Sequence, residues 1–127
     1  MMKKIFIVFI VIMGVGALLF FQKIQKASQQ IDQLVYEDIH MNNIQDGIYD
    51  GHVETELIKV HVQVEVKDHQ IKSIDILQHD NGFGDKANKI VNQMIKENDY
   101  HVDTISGATL SSQVIQSAVS QALKKGE

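Results

Sequence analysis

The amino-acid sequence predicts an α+β fold: a small antiparallel sheet packed with two helices, preceded by one N-terminal transmembrane helix and a stalk. Three observations support this fold class. Residues 58–67 alternate strictly between apolar and polar side chains, which is the period of a strand with one buried face. Residues 109–125 carry apolar side chains at helical spacing. Residues 5–21 contain no charged side chain, as in a membrane-spanning helix.

The apolar run near the N-terminus has two interpretations. As a helix, Ile5–Phe21 spans roughly 25 Å, and Lys4 and Lys23 can extend toward the head groups on either side of a hydrocarbon core of about 30 Å. The alternative is a cleaved signal peptide, but cutting after the small residues 15–17 would leave a strongly apolar new terminus. We therefore expect residues 1–22 to form a single-pass anchor in the cell membrane. The short N-terminal tail favours an extracytoplasmic position for the domain.

The next part of the chain divides into a stalk and a folded domain. Residues 23–45 are predicted as a helical stalk and linker, because the pattern from Gln22 to about Met41 places apolar residues three or four positions apart. Residues 42–47 are polar apart from Ile44, end in glycine and predict a linker and turn. We therefore expect the folded domain to comprise residues 46–127.

Within this domain the sequence predicts a three-stranded meander followed by two helices. Residues 48–53, 57–67 and 71–78 are the predicted strands, with a hairpin turn at 67–70. The first predicted helix follows Gly84 and has an apolar stripe made of Ala87, Ile90, Val91, Met94 and Ile95. The stripe of the last helix is Leu110, Val114, Ile115, Ala118, Val119, Ala122 and Leu123.

Composition argues against several functional classes. The chain has no cysteine, which excludes disulfides, thiolate metal sites and a cysteine nucleophile. Beyond the apolar run there are ten lysines and sixteen carboxylates without any arginine, a net charge of −6, which is unsuitable for binding nucleic acid. No two histidines stand three or four residues apart on a predicted helix, so no metal site is expected. Ser106-Gly107-Ala108 lacks the context of a hydrolase nucleophile elbow.

Two glycine-containing loops each precede a predicted helix: Gly82-Phe83-Gly84 and Ser106-Gly107-Ala108-Thr109. Together they would form a crevice that holds a phosphate at a helix N-terminus and a flat ring against Phe83. The alternative is two ordinary turns, with the hydroxyl of Thr109 or Ser106 capping the last helix. Capping by serine or threonine is the commoner arrangement, so these residue types alone favour the cap.

A resemblance to a known family bears on that choice. Asp103-Thr104-Ile105-Ser106-Gly107-Ala108-Thr109 resembles the D-x-x-[ST]-G-A-T flavinylation motif of the FMN-binding domain family. This domain occurs in flavinylated subunits of the sodium-pumping NADH:quinone oxidoreductase and Rnf-type complexes, and as a small membrane-anchored or secreted module. Similarity extends over essentially all of residues 46–127, including Asp46-Gly47-x-Tyr49-x-Gly51, the alternating strand, and His79 followed by Gly82-x-Gly84.

The resemblance implies that the hydroxyl of Thr109 is joined to the phosphate of FMN as a phosphoester. A separate Mg²⁺-dependent flavin transferase that uses FAD would make this bond, and Asp103 would serve its recognition of the motif. No arginine is present to bind the phosphate, which the covalent bond would make unnecessary. The other expected cofactor-binding residues are Ser106, Gly107, Ala108, Ser111, Ser112, His79, Gly82, Phe83 and Gly84.

The function implied is that of an extracytoplasmic, membrane-tethered electron carrier. Its flavin would take electrons from a membrane donor, a quinol or another flavoprotein, and pass them to a redox acceptor protein. Two alternatives stay open at this point. One is a flavin-dependent reductase of a small substrate, and the other is a non-redox accessory domain. The module is much shorter than the subunits of the large complexes, so their partner surfaces do not transfer to it.

Overall fold

The computed structural model describes residues 1–32, 34–80 and 84–127 of the chain. Its regular elements begin with a long helix, continue through three strands and end with helices. In chain order they are α1 (Met2–Asp32), a 3₁₀ turn (Met41–Asn43), β1 (Gly47–Glu54), β2 (Lys59–Lys67), β3 (Gln70–Asp80), α2 (Gly84–Ala87), α3 (Ile90–Glu97) and α4 (Thr109–Lys124).

The three strands form an antiparallel sheet in the order β1-β2-β3, which confirms the predicted fold class. The alternation in β2 sets its orientation, since Val60, Val62, Val64 and Val66 are each at most 1% exposed. The predicted hairpin turn lies between β2 and β3. Its two central residues, Asp68 and His69, have φ angles of 54° and 62°, the left-handed pair that a two-residue hairpin requires.

Helix α4 covers the inner face of the sheet, and α3 packs beside it on β3. The buried side of α4 contacts β1 and β2. Six residues of the predicted apolar stripe are fully buried there, but Leu110 is 43% exposed, so the stripe begins one turn later than predicted. Leu110 lies in the first turn of α4, beyond the part of the helix that the sheet covers. The core thus lies between α4 and the sheet.

The helix predicted after Gly84 is in fact two helices. The α-helical hydrogen bonds are interrupted at Asn88 and Lys89, where the N–H groups of Val91 and Asn92 donate to carbonyl oxygens three residues earlier. The side chain of Asn88 does not cap α3, because its Oδ1 lies 2.8 Å from Nδ1 of His79. The interruption therefore ties the end of β3 to the chain between α2 and α3.

The stalk helix ends at Asp32 rather than at about Met41. Residues 34–40, which we call the connecting segment, instead lie along the folded domain. Ser117 donates its hydroxyl to the carbonyl oxygen of Val35 at 2.7 Å, and Tyr100 donates to that of Glu37 at 2.8 Å. The hydroxyl groups of Ser117 and Tyr100 thus bind carbonyl oxygens that, in a helix, would accept N–H groups of the same helix. The core also includes Ile44, which is fully buried.

Helix α1 contains a segment, Met2–Lys26, that is long and apolar enough to cross a membrane. Its mean hydropathy over an 18-residue window is 2.7, and none of that window is buried against the rest of the protein. The large exposed side chains there are isoleucine, phenylalanine, valine, leucine and methionine. This helix is compatible with membrane anchoring.

Candidate functional site

The loop before α4, residues 103–108, makes one tight turn and then starts the helix. Gly107 has a φ of +80°, a conformation that favours glycine. The N–H of Ala108 donates to the carbonyl oxygen of Ile105 at 2.9 Å and closes the turn. Ala108 is 3% exposed, so the turn is fixed to the core at its last residue.

Ser112 stabilises this turn from inside the protein. Its side chain is fully buried in the first part of α4. The hydroxyl accepts the N–H of Ile105 at 3.1 Å and donates to the carbonyl oxygen of Ala108 at 2.7 Å. The sequence predicts Ser112 as a cofactor-binding residue. In the structure, the two hydrogen bonds of its hydroxyl hold the shape of the loop. Ser111, also predicted to bind the cofactor, is 2% exposed.

We expect Ser112→Ala to lower the free energy of unfolding by about 1–2 kcal/mol, because the N–H of Ile105 loses its acceptor in a partly buried position. Thermal unfolding followed by circular dichroism measures this as a fall in midpoint of roughly 5–10 °C. Ser106→Ala is the matched control, since Ser106 is exposed in the same loop. Equal midpoints for the two variants would show that the Ser112 hydroxyl does not stabilise the turn.

The N-terminus of α4 has no side-chain cap among the described residues, so the capping interpretation of Thr109 and Ser106 is wrong. Ala108 stands at the N-cap, and Thr109 is the first residue of the helix. Thr109 is exposed, and no described side chain or backbone group hydrogen-bonds its hydroxyl. The N–H groups of the first helical turn have no acceptor within the helix. An exposed hydroxyl and a set of N–H donors therefore stand together, an arrangement that suits an anion.

Helix α2 brings a cation to the same loop. This helix contacts α4, and the ammonium nitrogen of Lys86 lies beside Gly107, 3.2 Å from where a Cβ on that glycine would stand. The chain after Gly84 and the loop before α4 are thus neighbours. Lys86 is not among the site residues that the sequence predicts. The sequence feature that could have indicated Lys86 is its position two residues after Gly84, the last residue of the first glycine-containing loop.

His79 lies at the end of β3 and is partly buried. One ring nitrogen, Nδ1, pairs with Asn88, while the other, Nε2, is buried and has no hydrogen-bond partner among the described residues. A neutral imidazole that donates from Nδ1 keeps Nε2 as an acceptor. Two further predicted site residues, Gly82 and Phe83, lie outside the described residues. Gly84 is the first residue of α2.

On the other side of the loop, a cleft of about 480 Å³ lies between the loop, α4 and the connecting segment. Asp103 is exposed at its edge, and Gln113 lines it one turn after Thr109. Tyr36 lines the cleft from the connecting segment. Burial, together with the nearby Tyr100, raises the pKa of the Tyr36 phenol above its ordinary value of 10.0, so the group is neutral at pH 7.

These features define a class of protein: an α+β domain in which an exposed hydroxyl stands at an uncapped helix N-terminus, an arrangement suited to an anion. Comparison with protein-family models matches residues 56–124 to the FMN-binding domain family, and the chain belongs to that family. The match runs from just before β2 to the end of α4 and includes both glycine-containing loops. FMN is therefore the cofactor of the domain. No curated protein matches the chain in a search by sequence.

The residues around the N-terminus of α4 fit the phosphate of FMN. The phosphate is an anion, and the helix end offers N–H donors and a positive dipole. The absent side chain of Gly107 leaves the loop backbone open to Lys86. In the described part of the chain, no three His, Asp or Glu side chains are grouped closely enough to hold a metal ion.

Proposed function

We propose that the domain carries FMN covalently on the hydroxyl of Thr109 and acts as a membrane-tethered electron carrier. The observation that carries the attachment site is the exposed, uncapped hydroxyl of Thr109 at the N-terminus of α4. A capping hydroxyl would be engaged with backbone N–H groups, whereas this one is open to a second enzyme. The motif that resembles the flavinylation sequence ends at the same residue.

A flavin transferase with FAD as its donor makes the bond in this proposal. The hydroxyl oxygen of Thr109 bonds to the phosphorus of the FMN half of FAD. The pyrophosphate bond breaks, AMP leaves, and the hydroxyl proton is released. Asp103 is exposed beside the cleft and is offered to the transferase rather than to the flavin. Ser106 and Gly107 are exposed and leave space for the incoming donor.

The ring of the flavin needs an apolar wall and polar contacts besides the phosphate site. We assign these to the sequence Gly82-Phe83-Gly84 and to His79. Support comes from the buried, unpartnered Nε2 of His79, which can accept a hydrogen bond from a bound group. The exposed side chain of Leu110, next to Thr109, offers further apolar surface.

When bound, FMN takes up and releases electrons, and the protein supplies its position and surroundings. We propose that residues 1–22 anchor the chain in the cell membrane, that residues 23–45 connect the anchor to the domain, and that residues 46–127 hold the flavin on the extracytoplasmic side. The apolar helix Met2–Lys26 supports the anchor. A quinol or membrane flavoprotein would be the donor, and a redox protein the acceptor.

The electron-carrier function predicts a specific pattern of reactivity. We expect full-length flavinylated protein in liposomes that contain a reduced quinone to lose its oxidised-flavin absorbance, and to stay reduced until an acceptor protein is added. Spectrophotometry under anaerobic conditions measures this, with the Thr109→Ala protein as the flavin-free control. Continuous turnover of a small soluble acceptor without any partner protein would instead indicate a reductase. A wild-type protein that stays colourless beside an active transferase would indicate an accessory domain.

A further inference from the structure

Lys86 lies beside the loop that leads into Thr109. Its ammonium nitrogen lies beside Gly107 because that glycine has no side chain to keep it away. Gly107 and Thr109 are two residues apart, and two residues of chain span at most about 7 Å. The flexible four-carbon stem of a lysine covers the remaining distance readily. Lys86 can therefore reach a phosphate bonded to the Thr109 hydroxyl.

The charge balance of the region leaves this lysine available. Lys86 is exposed, and no residue with a described side chain, a set that leaves out the neighbouring Asp85, forms an ion pair or hydrogen bond with its ammonium group. The domain as a whole is acidic and contains no arginine, and Asp103 adds a negative charge to the same loop. A phosphate diester keeps one negative charge at neutral pH. The partial positive charge of the helix end, about half an elementary charge, compensates only part of it.

The position of Lys86 is held by the fold. It lies on α2, which contacts α4. The chain after α2 is tied to the end of β3 by the hydrogen bond between His79 and Asn88. The ammonium group is thus carried by a helix that is held against α4 on one side and linked to the sheet on the other.

We propose that Lys86 is the cation that binds the phosphate of the FMN attached to Thr109. This inference rests on the proposed attachment site and adds a residue to it. In the absence of arginine, Lys86 supplies a mobile positive charge on one side of the phosphate, and the N–H groups of α4 supply donors on the other. The contact is made in the flavinylated protein and is absent from the protein without flavin.

The test compares the stabilisation that the flavin gives to different variants. Full-length wild type, Lys86→Gln and Lys86→Arg are each prepared with and without covalent FMN, and intact mass verifies the loading. We expect flavinylation to raise the thermal midpoint by about 2–5 °C less in Lys86→Gln than in wild type, the range of an exposed charge pair. Lys86→Arg should keep most of the gain. Lys89→Gln, an exposed lysine just after α2, is the matched control and should keep it fully.

A second measurement uses salt. The difference between wild type and Lys86→Gln should shrink at about 1 M salt, where charge interactions are screened within about 3 Å. An equal flavin-dependent gain in wild type and Lys86→Gln at low salt would overturn the role of Lys86, even if the variant were labelled more slowly. If wild type itself takes up no flavin, or takes it up at another residue, the attachment site at Thr109 fails instead. The two failures are therefore distinguished by the mass of the wild-type protein and the residue that carries the flavin.

Discussion

Thr109→Ala is expected to abolish covalent flavin completely while leaving the fold unchanged. The substitution removes the oxygen to which the phosphorus would bond, so no slower version of the same step remains. Thr109 is exposed, and its hydroxyl has no hydrogen-bond partner among the described residues, so its loss should alter the free energy of unfolding by less than about 0.5 kcal/mol. The effect on loading is therefore separable from any effect on stability.

The measurement is co-expression of the full chain with a flavin transferase, followed by intact mass and by flavin fluorescence in a denaturing gel. Thr109→Ser should still be labelled, since it keeps a hydroxyl at the first helical position. Thr104→Ala removes an exposed threonine from the same loop and should leave labelling unchanged. Flavin fluorescence that persists in Thr109→Ala would contradict the assignment and would direct attention to Ser106, which is also exposed. Ser111 and Ser112 are buried and poorly placed to replace it.

The sequence predicts the fold well where one physical rule dominates. The alternation from Val60 to Val66 fixes which face of β2 is buried, and the helical spacing after Val114 fixes the face of α4. The hairpin turn follows from the short polar sequence between two strands, and Asp68 and His69 adopt the required left-handed conformations. These patterns depend on neighbouring residues in the sequence, so they can be recognised without knowledge of the tertiary contacts.

The sequence fails where a tertiary contact replaces a local preference. Residues 34–40 have helical spacing, but their backbone hydrogen-bonds to Ser117, Ser120 and Tyr100 of the folded domain. The helix predicted after Gly84 is interrupted at Asn88, whose side chain pairs with His79. In both cases the partner is distant in sequence, and no local pattern announces it.

The site shows the same division. The motif ending at Thr109 can be read directly from the sequence. It includes Gly107, whose positive φ is a conformation that favours glycine. The absence of a cap, however, depends on the geometry of the turn, and the internal role of Ser112 depends on its burial. Lys86 reaches the loop only because α2 packs against α4. The candidate attachment residue can thus be named from the sequence, whereas the side chains that surround it are known only from the structure.

Gly51→Ala is expected to destabilise the domain by about 2–4 kcal/mol, a large share of the stability of so small a core. Gly51 lies in β1 opposite Val62, at a point where the backbone of α4 lies close against the sheet. A Cβ at this position would overlap the carbonyl oxygen of Ala118, approach its carbonyl carbon to 2.7 Å and meet the Cβ of Ala122 at 3.2 Å. Helix backbone cannot rotate away as a side chain does, so the helix and the sheet would have to separate.

Thermal unfolding of the full-length protein should show a midpoint at least about 10 °C below wild type, and labelling at Thr109 should fall as α4 loses its position. Gly47→Ala is the matched control in the same strand, because its Cβ would meet the hydroxyl of Tyr49 at 2.9 Å, a side-chain group that can move. That variant should lose only about 1 kcal/mol, mainly from the hydrogen bond between Tyr49 and the carbonyl oxygen of Gln45. Similar midpoints for the two variants would mean that α4 can shift on the sheet without penalty. The close approach at Gly51 would then not be what positions the N-terminus of α4 and its threonine.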